Sequence, residues 1–156
     1  MIRLAALLCL VSGPLAAGEI SIGLGAIGLD DQGEAAGLAV ELRTDPVRSL
    51  GPVEVRLGAG AELDTDTDFW IGAGLALTYP FRDRWRVEVS LMPGLYAQGD
   101  GLDLGDVVEF RSLLGVSRRV GPETWLGLSV SHKSNAGLDD TNPGEEAILL
   151  HLARRF

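Results

Sequence analysis

Cysteine is nearly absent from this 156-residue chain: Cys9, inside an N-terminal apolar run, is the single one. A mature product lacking that run has neither a disulfide framework nor a thiol nucleophile. Histidine is almost as scarce. His132 and His151 are the two present, and strand parity sets them on opposite faces, which argues against a structural or catalytic zinc site. Basic residues are outnumbered, 13 Lys and Arg against 22 Asp and Glu, for a formal net charge of -9. That balance excludes nucleic acid as a partner, because phosphates require a Lys/Arg footprint. Beyond the N-terminus no long apolar segment occurs, and sustained helical periodicity is missing, so the chain is not a helical membrane protein. What abounds is glycine, 21 residues, in a chain that is 46% hydrophobic, and so much apolar content rules out low-complexity disorder.

The N-terminus reads Met-Ile-Arg, then an apolar stretch from Leu4 to Val11, then Ser-Gly-Pro-Leu-Ala-Ala-Gly. A basic head, a short apolar centre and a small-residue exit define a secretory signal over residues 1–17, with cleavage after Ala17 or Gly18. Cys9 sits too early, and after Leu8, for a lipoprotein signal. Residues 18–156 are then one exported domain.

That domain alternates with period two almost throughout. Eight strands are expected, over residues 19–28, 35–43, 53–62, 69–79, 85–97, 107–117, 124–134 and 146–156. Their length, about nine to thirteen residues, is what a tilted strand needs to cross a bilayer. The connections are rich in Asp, Gly and Pro, as turns require. One face of the strands is aliphatic, carried by Ile22, Leu24, Leu38, Leu57, Leu75, Leu91, Leu114 and Leu128. The other carries Glu41, Arg43, Glu54, Arg56, Arg86, Glu88, Glu109 and Arg111 among glycines. A soluble barrel would place its apolar face inward. The reverse pattern predicts an all-β, eight-stranded antiparallel transmembrane barrel whose narrow lumen is plugged by paired charges. An open pore is excluded at that strand number.

The last strand ends on Phe156, in parity with Ile148, Leu150 and Leu152, which resembles the C-terminal signature of bacterial outer-membrane barrels. The resemblance implies periplasmic termini. Outer loops then fall near 29–34, 63–68, 98–106 and 135–145 and hold ten aspartates, from Asp30 and Asp31 to Asp139 and Asp140. Inner turns near 44–52, 80–84 and 118–123 hold Arg48, Arg82, Arg84, Arg118 and Arg119. This asymmetry played no part in placing the strands and agrees with them.

Two motifs are decoys. Gly23-Leu-Gly-Ala-Ile-Gly28 matches a dinucleotide fingerprint, but another period-two run follows it instead of a helix. Asp64-Thr-Asp-Thr-Asp68 opens like a calcium loop, yet Phe69 and Leu75 stand where an EF-hand needs glycine and glutamate.

The remaining constellation is Ser131-His-Lys-Ser-Asn-Ala-Gly137 with Asn142-Pro-Gly-Glu-Glu146. His132 and Ser134 share the lipid-facing parity of Leu126, Leu128 and Val130. Glu146 shares that of Ile148 and Leu150 on the neighbouring strand, and Glu145 and Lys133 face the other way. Three polar side chains thus interrupt an apolar band at one level, where such residues are expensive and functional. An imidazole, a hydroxyl and a carboxylate together are the parts of an activated serine nucleophile.

These residues resemble the C-terminal signature of the PagL-type lipid A 3-O-deacylases, over about the last quarter of the chain. The resemblance implies an outer-membrane esterase acting on lipid A, or lipopolysaccharide, among outer-membrane lipids. Carried over, Ser134 is the nucleophile, His132 the base and Glu146 the orienting acid, with Glu145 in the adjoining place. Asn135, with the backbone N–H groups around Ala136 and Gly137, is expected to form the oxyanion hole, and Lys133 to play no part. The acyl chain would lie beside Leu128 and Val130. Neither metal nor cofactor is required, and a homodimer is compatible with the pattern. A structural or adhesive barrel, and an esterase for another lipid ester, are the competing readings.

Overall fold

The computed structural model describes residues 17–29 and 34–156. The secretory-signal expectation for residues up to 16, and the outer-loop aspartates Asp30 and Asp31, lie outside the described residues.

Among the described residues nine strands follow one another: β1 (Ala17–Ile27), β2 (Ala35–Thr44), β3 (Arg48–Leu50), β4 (Val53–Asp64), β5 (Phe69–Arg82), β6 (Trp85–Ala97), β7 (Val108–Gly121), β8 (Thr124–Ser134) and β9 (Glu145–Arg155). Each long strand pairs antiparallel with its sequence neighbours. β1 also pairs with β9, and β2 with β4, which closes the sheet into a barrel of eight strands. Closure removes every long unpaired edge, so the backbone groups of the wall are paired strand to strand. β3 is the one unexpected strand. It pairs back on the inner end of β4 through Leu50↔Val53, across a two-residue turn in which Gly51 takes a φ of +61°. β5 and β7 run past their expected ends, to Arg82 and Gly121, as hairpins that extend beyond the apolar band.

Alternation decides which side of the wall each residue meets. Leu24, Leu75, Leu91, Leu128 and Leu150 are more than half exposed, while Glu19, Arg56, Glu62, Glu88, Glu109 and Arg111 are buried almost completely. The aliphatic band therefore faces outward and the charges fill the lumen, as the pattern predicts for a membrane-spanning barrel.

The lumen charges form a linked plug. Arg86 contacts Glu19 at 2.6 and 3.0 Å and Glu88 at 2.9 Å. Arg43 bridges Glu19, Glu41 and Glu88. Arg111 joins Glu62 at 2.8 Å and Glu41, and its guanidinium stacks 4.8 Å from the Trp70 ring centroid. His151 points inward to Glu88 at 3.2 Å. Space beside Trp70 is limiting: a Cβ on Gly72 would lie 2.4 Å from the indole and one on Gly94 2.5 Å away. One charge departs from the expected pairing. Both carboxylate oxygens of the buried Glu109 lack a hydrogen-bond partner among the described residues.

Candidate active site

The outer ends of β8 and β9 meet through two consecutive rungs, His132↔Glu146 and Lys133↔Glu145. Because adjacent residues of a strand point to opposite faces, one rung serves the wall's exterior and the other the lumen. Lys133 and Glu145 turn inward, where Lys133 Nζ lies 2.6 Å from Glu145 and 3.1 Å from Glu62. His132 and Glu146 turn outward and stay about half exposed, with His132 Nδ1 2.9 Å from Glu146 Oε1. Of the two glutamates, Glu146 therefore meets the imidazole and Glu145 meets the lysine. A carboxylate oxygen accepts, so in a neutral imidazole this contact favours the tautomer with the proton on Nδ1, whose Nε2 has a lone pair to offer.

Two backbone features hold the pair. The Glu146 carbonyl accepts hydrogen bonds from the N–H groups of Gly28 at 2.8 Å and Leu29 at 3.2 Å, which ties β9 to the end of β1. Gly144, with a φ of +74°, packs against the imidazole so closely that a Cβ there would sit 2.6 Å from His132 Cε1. Only glycine accepts both that backbone region and that proximity.

Ser134 closes β8, half-buried, two residues beyond His132 on the same outward face. Its cross-strand partner is Phe110, and His132 has Ser112 opposite. The Ser134 hydroxyl forms no hydrogen bond with His132 among the described contacts. The two groups share a surface with no hydrogen bond between them, an arrangement that often tightens only with substrate bound. Ser112 also faces outward at this level, with its hydroxyl 3.4 Å from the His132 carbonyl. It interrupts the outward apolar parity between Phe110 and Leu114, and that break in alternation is visible in the sequence.

The expected oxyanion donors need correction. Strand parity continues past Ser134, so Asn135 turns inward and is fully buried. Its amide Nδ2 donates to the carbonyls of Leu104 at 2.9 Å and Thr141 at 2.7 Å, and its Oδ1 accepts the Gly137 N–H at 2.9 Å. The Asn135 side chain and the Gly137 amide thus shape the loop and are not free for substrate. The Asn135 N–H donates to Asn142 Oδ1 at 3.1 Å, which leaves Asn142 Nδ2 without an acceptor among the described residues. Ala136, at a φ of +56°, likewise has an N–H with no acceptor there.

Inside the mouth lies a cavity of about 530 Å³ lined in part by Asp64, Asp66, Asp68, Asp103 and Glu145. It is on the lumen side of the wall, away from the outward face of His132. One oxygen each of Asp64, Asp68 and Glu145 converge within 4.8 Å. Protein donors organise them: Tyr96 O–H donates to Asp68 Oδ2 at 2.6 Å, the N–H groups of Asp66 and Asp68 donate to Asp64 Oδ1, and Lys133 faces Glu145. The aspartate run that imitates a calcium loop is accordingly a turn built on its own side chains.

The sequence profile of the lipid A 3-O-deacylase (PagL) family matches residues 54–155, which include all of the outward cluster. The crystal structure of the outer membrane enzyme PagL superposes with a TM-score of 0.75 over 88% of this chain and 99% of that one, at 21% identity. Barrels of other kinds are more distant. A de novo designed transmembrane β-barrel gives a TM-score of 0.57 at 12% identity, covering 89% of this chain and 96% of that one. The Yersinia pestis outer membrane protein Ail gives 0.52 at 14%, covering 89% and 99%. No curated protein sequence matches. At these identities the structural likenesses establish the eight-stranded barrel, a fold that fits an outer-membrane location, and the profile supplies the family. The chain belongs to the lipid A 3-O-deacylase (PagL) family.

Proposed function

We propose that this protein is a serine esterase that removes the ester-linked 3-O acyl chain of lipid A, with Ser134 as nucleophile, His132 as base and Glu146 as orienting acid. The observation that carries the reading is the 2.9 Å contact between His132 and Glu146 on the lipid-facing wall, two residues along β8 from Ser134 on the same face. A histidine–carboxylate pair exposed to hydrocarbon is costly unless it is used.

In the first step Ser134 Oγ attacks the ester carbonyl and its proton passes to His132 Nε2. Glu146 stabilises the imidazolium and keeps its plane. Collapse of the tetrahedral adduct breaks the bond to the sugar oxygen, which takes the proton from Nε2 and leaves the acyl chain on Ser134. Water, deprotonated by the same nitrogen, then attacks the acyl carbonyl; the bond to Ser134 Oγ breaks, Oγ takes the proton back from Nε2, and the fatty acid leaves. Base catalysis of this kind contributes about 10²–10⁴-fold. The Ala136 N–H and Asn142 Nδ2 are the donors left to face the oxyanion, where one donor is worth roughly 10²–10³-fold. The departing acyl chain lies along Leu128 and Val130, both about half exposed on the band below the triad. Neither step calls on a metal or cofactor.

Mass spectrometry of lipid A from outer membranes expressing wild type, Ser134→Ala or His132→Ala tests the reading. Wild type alone should release the 3-linked hydroxyacyl chain. Unchanged lipid A in all three strains favours a structural or adhesive barrel, and loss of a different acyl mass assigns another ester. The same strains place the substrate leaflet at the triad end, since lipid A is confined to the outer one.

A further inference from the structure

At the barrel end opposite the triad, the β5–β6 and β7–β8 hairpins surround one groove with guanidinium groups. The groove, about 480 Å³, is lined by Arg82, Asp83, Arg84, Trp85 and Arg118. Trp85 is the cross-strand partner of Arg82 on one side and of Arg118 on the other, so the three stand in a row around the wall. The Arg118 guanidinium lies 5.8 Å from the Trp85 ring centroid, and Phe81 packs 6.5 Å from the same ring. Both aromatics are exposed.

The charge state of this groove differs from that of the lumen. The lumen arginines Arg43, Arg86 and Arg111 each meet carboxylates, whereas Arg82, Arg84 and Arg118 join no salt bridge among the described residues. Asp83 is the one carboxylate in the lining, against three guanidiniums. Directly above, on the same outward face, the rungs Val87↔Val116 and Val89↔Leu114 begin the apolar band. A cationic pocket, an interfacial indole and an aliphatic strip follow one another along the wall in the order of headgroup, glycerol and acyl chain.

We propose that this groove binds an anionic glycerophospholipid of the leaflet at the terminal end of the barrel. A phosphodiester offers paired oxygens that match the planar fork of Arg118 and Arg82. Trp85 sits at the depth where indoles favour the interface. A zwitterionic ethanolamine headgroup would bring its ammonium toward unpaired guanidiniums and bind less well. The inference rests on the barrel spanning a bilayer and not on the esterase reading.

The test is native mass spectrometry of the detergent-solubilised barrel with phosphatidylglycerol or phosphatidylethanolamine of the same chains. Arg82→Gln/Arg118→Gln is compared with Arg48→Gln/Arg154→Gln, which removes equal charge from exposed positions of the same end outside the groove. Wild type and the control pair should each retain one phosphatidylglycerol, and the groove pair about tenfold less or lower still. Equal retention by the two pairs, or equal retention of the two lipids by wild type, overturns the site. Heat-modifiable gel migration reports folding. If the groove pair fails to fold, Arg118→Lys keeps the charge but loses the fork, and undiminished retention by that variant overturns the proposal instead. Lipid A hydrolysis, measured in parallel, should be unaffected by the groove pair, and its absence from wild type would leave the lipid adduct as a standing result.

Discussion

Glu145 and Glu146 are chemically identical neighbours, and their different surroundings separate them. Glu146 meets His132 at 2.9 Å, whereas Glu145 is buried against Lys133. Glu146→Gln should lower kcat for lipid A hydrolysis by about a hundredfold or more, because the amide no longer stabilises the imidazolium. Glu145→Gln should change kcat less than about tenfold, since it touches no reacting group. Rates of purified variants in mixed micelles check both, and the opposite ranking would transfer the acid role to Glu145. Gly144 carries a subtler residue-scale prediction. A Cβ there would push on His132 Cε1 from 2.6 Å. Gly144→Ala should therefore reduce kcat by roughly tenfold to a hundredfold with the barrel intact, by tilting the ring. Activity equal to wild type would show that the imidazole relaxes without consequence.

At the level of strands, most of the wall was legible because period-two alternation is the direct consequence of a sheet with one face in lipid. Leu126, Leu128 and Val130 fix the parity of His132 and Ser134, and the same rule puts Glu146 and Glu145 on opposite faces, as the two rungs of the structure do. Legibility stopped where the alternation stops. Arg48–Leu50 are all exposed, between Pro46 and Pro52, so β3 had no pattern to reveal it. The inner ends of β5 and β7 leave the apolar band after Tyr79 and Val116 and lose their contrast. The inward direction of Asn135 is hidden for a related reason: the lumen-side parity runs one residue past the strand end, into what the composition marks as loop. The β8–β9 register has its own support in the Lys133 rung. Lys133→Met would leave Glu62 and Glu145 buried without their shared cation, a loss of about 3–5 kcal/mol. Adding Glu145→Gln should recover part of it, because one fewer carboxylate then lacks a partner. Urea titration of refolding into vesicles measures both, and a single variant as stable as wild type would mean that Glu62 and Glu145 are satisfied by other groups.

For the whole molecule, stability depends on an inside-out arrangement. Hydrocarbon covers the exterior, and the interior is stable only insofar as each carboxylate has a cation or donor. Glu62 meets that condition through Arg111 and Lys133. Glu109 does not: it is fully buried in the same region, near Trp70, and both its oxygens are without partners among the described residues. Substituting each by methionine should move stability in opposite directions. Glu62→Met strips two buried cations of a counter-charge and should destabilise by about 3–5 kcal/mol. Glu109→Met removes two unsatisfied oxygens without orphaning a cation, and should stabilise by about 1–3 kcal/mol. The thermal midpoint of the heat-modifiable band gives the ranking directly. A Glu109→Met barrel that melts as early as Glu62→Met would mean that the Glu109 carboxylate has a cation or donor of its own, and the plug would then be balanced throughout.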